Sequence, residues 1–150
     1  MGSTLRYSVA IVYPWIHYEH AMVIDSICNQ TVSRSNFAKK LGISRQTVRK
    51  DEALAVVLVS DYRTALDVMV RELNRPRTRC PLTPYHQWVL LKIRQEATAQ
   101  GWGNSPGDRA FLKAWLKTHR DNLSFAAYQQ NQSAKSPEYQ QITKLAGETL

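Results

Sequence analysis

The sequence predicts an all-α protein, and three observations carry that prediction. The first is residues 33–54, SRSNFAKKLGISRQTVRKDEAL, in which Gly42 divides two short apolar patterns. The second is a run without Gly or Pro from Ile43 to Asn74, with apolar residues three or four positions apart. The third is a pair of steps, Thr83-Pro84 and Ser105-Pro106, each setting a capping hydroxyl before a proline suited to a first helical turn.

The elements follow in order. Leu5–Tyr13 alternates loosely and fits a short strand or a first helix equally. Pro14 opens a helix to about Gln30, with Ile16, Met22, Val23, Ile27 and Cys28 on one apolar face. His17 and His20 lie one turn apart, yet HYEH matches neither zinc-hydrolase spacing, so no metal site is expected.

In residues 33–54, Ala38 is small where two helices must cross closely, and Gly42 suits a turn needing φ > 0. Phe37, Leu41, Ile43 and Val48 are placed to pack the two helices together, and Ser44 to N-cap the second. Arg45, Gln46, Thr47, Arg49 and Lys50 then face outward. This stretch resembles the helix-turn-helix of prokaryotic and phage DNA-binding regulators, over about residues 34–54. The resemblance implies that Arg45, Gln46, Thr47 and Arg49 read bases in a major groove. It also implies that Arg34, Lys39, Lys40, Ser44 and Lys50 hold phosphates. Asp51 departs from the pattern, since an apolar residue usually closes the second helix there; Leu54 is the candidate substitute.

Beyond it, Ala55, Val59, Tyr62, Leu66, Met69 and Leu73 are spaced four, three, four, three and four, a heptad seam on one long helix. A dimer seam and a core face within the chain are equal readings of it. AVVLV, Ala55 to Val59, leaves a strand as a third reading. A two-fold dimer would double the contacts on a palindromic site.

Arg71–Pro84 carries three prolines and four arginines and reads as an extended boundary. Within it Arg75, Arg77 and Arg79 form a candidate DNA arm. Thr83-Pro84 starts a helix that Gly101 ends, packed by Trp88, Val89, Leu91 and Ile93. Ser105-Pro106 starts its hairpin partner, with Phe111, Leu112, Trp115 and Leu116 on one face and Arg109, Lys113, Lys117 and Arg120 on another. From Asp121 the chain turns rich in Gln, Asn and Ser, which predicts a mobile tail with a last helical turn within Pro137–Ala146. The expected organisation is a DNA-binding unit with its long helix at 1–74, a linker at 75–84, a helical hairpin at 85–120 and a tail at 121–150.

Composition narrows the function. The 150 residues are 43% hydrophobic and 21% charged, as in a globular chain able to bury a core. A formal charge of +8 and a pI near 9.7 suit a polyanionic partner. Cys28 and Cys80 form no CxxC, so neither a zinc knuckle nor a disulfide framework is indicated, and a reducing cytoplasm is the expected compartment. Val9–Tyr13 is too short to span a membrane. There is no P-loop, GxGxxG or nucleophile elbow, and the carboxylates stand singly, so no enzyme and no cofactor are expected.

The expectation is therefore a sequence-specific double-stranded DNA-binding regulator of transcription, a homodimer of phage or mobile-element type. The alternatives are a small-terminase-like packaging subunit, a phage late-gene antiterminator that also binds RNA polymerase, and a protein binding RNA or a membrane surface through charge alone.

Overall fold

The computed structural model describes residues 31–134, so the Leu5–Tyr13 segment, the helix from Pro14 with His17, His20 and Cys28, and the Pro137–Ala146 turn lie outside the described residues. Among the described residues the regular structure is helical, apart from one isolated antiparallel bridge between Val32 and Leu82. The helices are α1 (Arg34–Leu41), α2 (Arg45–Leu58), α3 (Ser60–Leu73), α4 (Pro84–Gln100), α5 (Pro106–His119) and α6 (Phe125–Ala134). Short 3₁₀ turns at Arg77–Arg79 and Arg120–Leu123 complete them.

Local chemistry explains most helix ends. Ser33 caps α1, its hydroxyl accepting from the Asn36 N–H at 3.1 Å. Gly42 ends it at φ 69°, and the Ile43 N–H closes on the Ala38 carbonyl at 3.0 Å. Thr83 caps α4 in a reciprocal box in which His86 takes the usual glutamate place, and Gly101 ends it at φ 72°. Ser105 caps α5 and accepts from the Asp108 N–H at 3.2 Å.

The expected long helix is two. Val59 takes an extended conformation at φ −107° and ψ 99°, ending α2 and preceding α3. No Gly or Pro forces the bend, and its carbonyl accepts from the N–H groups of Tyr62 and Arg63 at 3.1 and 3.3 Å. Folding back lets α2 and α3 pack on each other and lets both cover α4, which also touches α5 and α6. The strand reading of Ala55–Val59 falls with it: Ala55 to Leu58 are helical.

The seam supplies the core. Ala55, Val59, Tyr62, Leu66 and Met69 are buried inside this chain together with Val89, Leu90 and Ile93 of α4 and Leu112 and Leu116 of α5, while Leu73 is half-buried against them. Each fully buried Leu, Ile, Val or Met side chain contributes roughly 1.5–3 kcal/mol. The candidate dimer seam is therefore the core face, and it is already covered.

Two further expectations change. Residues 75–84 are not a free linker: Cys80 and Leu82 are fully buried, and Leu82 exchanges backbone hydrogen bonds with Val32 at 2.7 and 3.1 Å. The hairpin and the first unit share one core across that stretch. The tail does not begin at Asp121 either. Ser124 caps α6 by accepting from the Ala127 N–H, and the Asp61 carboxylate accepts from the Phe125 N–H at 2.9 Å. Phe125 and Tyr128 are buried edge-on against Tyr85, at 5.2 and 5.6 Å between ring centroids. On this docked helix Gln130 and Gln132 are exposed and Gln129 is half-buried. No described helix is long and apolar enough to cross a membrane.

Candidate nucleic-acid interface

The outward face of α2 follows from its inward one. Thr47, Val48, Asp51, Ala55 and Leu58 are buried, which leaves Arg45, Gln46 and Arg49 exposed. Arg45 and Arg49 are one turn apart and share that face with Gln46. Lys39 and Lys40 are exposed in the last turn of α1, Ser44 is exposed at the cap, and Lys50 is half-buried.

Thr47, expected among the base readers, points inward. Its hydroxyl lies 2.9 Å from the Ser44 hydroxyl and accepts from Asn104 Nδ2 at 3.3 Å. That second bond fastens the first turn of α2 to the 101–105 loop. Ser44, expected on a phosphate, spends its hydroxyl on the Thr47 N–H at 3.1 Å.

Arg34, also expected on a phosphate, is buried. Its guanidinium meets Glu52 through two parallel bonds, Nε to Oε1 at 2.6 Å and Nη2 to Oε2 at 3.0 Å. It also donates to the carbonyls of Arg77, Thr78 and Cys80 at 3.3, 3.2 and 2.6 Å. Burial works against the Arg34 charge, but the bond to Glu52 and its negative charge outweigh that and hold the guanidinium pKa above its ordinary value. The Tyr62 hydroxyl donates to the same carboxylate at 2.6 Å, and burial, reinforced by Glu52, pushes it well above the usual tyrosine range.

Asp51, the departure from the expected pattern, anchors α2 on the rest of the fold. It is 1% exposed and accepts from Arg94 of α4 at 2.7 and 3.0 Å and from Arg109 of α5 at 2.8 Å. Sequence reasoning put Arg109 on an exposed basic face and missed this triad. The signal was present: a carboxylate in an apolar slot of a helix requires a cation opposite it. Asn104 was missed as well, and nothing local to the turn marks it.

The two carboxylates of the basic stretch are thus engaged by Arg34, Arg94 and Arg109. The exposed cations on α1 and α2 keep an outward field that no neighbouring acid of that stretch faces. Of the candidate arm, Arg77 pairs with Asp67 at 2.9 Å on the surface, a contact worth about 0–1 kcal/mol. Arg75 and Arg79 line a small cleft with Arg45, Ser33 and Ser35. Burial raises the nearby Cys80 thiol, with Arg34 and Arg75 opposing it. Guanidinium, ammonium and amide donors on a convex helical surface suit oxyanions and base edges.

No protein-family model matches the chain, and no match was found among curated proteins or solved structures.

Proposed function

We propose that this protein is a sequence-specific double-stranded DNA-binding regulator of transcription, with α1, its Gly42 turn and α2 acting as a helix-turn-helix. The observation that carries the proposal is the exposed row Arg45, Gln46 and Arg49 on α2, flanked by Lys39 and Lys40, with Asp51 and Glu52 turned inward and paired. Arginine and glutamine pair bidentately with guanine and adenine in the major groove, and lysines neutralise phosphates. The formal charge of +8 supports the same partner. The protein acts as a dimer on a two-fold site; with the heptad seam in the core, its protomers meet through another surface.

The test is duplex binding by fluorescence anisotropy across a salt series. The proposal expects affinity that falls steeply with salt and weakens in Lys39→Ala, with the log–log slope reduced by about one unit. Absence of duplex binding at near-physiological salt would contradict it.

A further inference from the structure

Beside the first turn of α1 lies a cleft of about 340 Å³, and its lining is unusual in charge. Arg45 comes from the start of α2, Arg75 from just beyond α3, and Arg79 from the 3₁₀ turn; Ser33, Ser35 and Thr78 supply hydroxyls between them. All three arginines are exposed. Among the described residues none of their side chains has a carboxylate or hydrogen-bond partner, and no acidic residue lines the cleft.

A fourth arginine, the buried Arg34, also lines the cleft. Its guanidinium donates to the carbonyls of Arg77, Thr78 and Cys80, so those acceptors are already engaged. Its own charge is matched by Glu52. The opening is left with donors, and guanidinium groups grip a phosphate better than any neutral ligand. Its volume is at the low end for ligand pockets, which run from roughly 300 to 1,000 Å³, so it suits a single phosphate group of a passing strand.

We infer that this cleft holds one backbone phosphate of the bound duplex through Arg45, Arg75 and Arg79, and so sets the angle at which α2 enters the groove. The inference rests on the duplex-binding reading above. It moves Arg45 from base reading to phosphate binding and leaves Gln46 and Arg49 to face the bases.

The test uses the full chain, the double variant Arg75→Gln/Arg79→Gln, and Arg45→Gln, with circular dichroism melting to verify that each variant is folded. Two titrations are run: inorganic pyrophosphate, followed through the arginine Nε–H NMR signals, and duplexes of several sequences across salt. The expected result is pyrophosphate-induced shifts of the Arg45, Arg75 and Arg79 signals, and a duplex salt slope lowered by about one unit in the double variant, as the loss of one phosphate contact requires. Both variants should weaken all duplexes alike, leaving the preferred sequence unchanged. An unchanged slope with duplex binding intact would overturn the cleft and spare the duplex reading, as would a loss in Arg45→Gln confined to particular base pairs. Pyrophosphate shifts without duplex binding, or binding to phosphatidylserine vesicles in place of duplex, would overturn the assignment to a DNA phosphate along with that reading. Failure of both titrations would overturn both.

Discussion

Asp51 of α2 accepts two hydrogen bonds from Arg94 of α4, at 2.7 and 3.0 Å, across 43 positions of sequence. Arg109 adds a third from α5, so a single carboxylate orients the candidate interface helix on the two helices behind it. Removing it strands two largely buried guanidinium groups. Asp51→Ala should cost about 3–5 kcal/mol in urea unfolding. A loss below about 1 kcal/mol, as at a surface pair, would contradict that role.

His86 makes the fold sensitive to acid. Its Nε2 lies 3.2 Å from the Tyr62 carbonyl, which can only accept, so Nε2 carries the proton and Nδ1 faces the Thr83 N–H and hydroxyl. Burial lowers the imidazole from 6.5 to about 4, more than the Tyr62 bond and Glu52 raise it. The folded state therefore holds the neutral ring, while the unfolded chain takes up a proton below 6.5. The stabilisation is present above that pH and is lost as pH falls through about 4, amounting to about 3 kcal/mol. The stability gap between wild type and His86→Gln should narrow by that amount from pH 7 to pH 4. A gap independent of pH would show the ring to be accessible.

Because the heptad seam lies inside one chain, Leu66 is a core residue with no exposed surface. Leu66→Ala should cost about 2–5 kcal/mol, with the same loss at every protein concentration. A loss that shrinks as concentration rises would return the seam to a dimer contact.

Thr47 and Arg49, two positions apart on α2, separate a structural role from the proposed recognition role. Thr47→Ala removes the tie to Asn104 and should lower stability by about 1 kcal/mol while leaving base preference intact. Arg49→Ala should leave stability nearly unchanged and cost about 1–3 kcal/mol at one base pair of a preferred site. Exchange of the two outcomes, read by denaturation and by competition among duplexes, would reverse the assignment.

Features decided within a few residues were legible in the sequence. Gly42, Gly101, Ser44, Thr83-Pro84 and Ser105-Pro106 mark helix ends because cap and turn chemistry is local. The bend at Val59 is not local. No breaker stands there, and it follows from how the α2 and α3 faces cover α4. Arg34 resembled a surface cation because Glu52 is 18 positions away and its carbonyl partners 43 to 46. Thr47 shares the inward face of α2 with Val48, Asp51 and Ala55, and its tie to Asn104 spans 57 positions of sequence. Composition misread residues 125–134, where buried Phe125 and Tyr128 outweigh a polar outer side.

Under the proposed function, the exposed face of α2 recognises duplex DNA by sequence. Selection of bound duplexes from a random pool, at near-physiological salt and read by sequencing, tests it most directly. The expected result is one enriched motif with two-fold symmetry that degrades when Gln46 or Arg49 is replaced by alanine. Binding with no enriched sequence would leave charge as the only basis for the interaction and would contradict the claim.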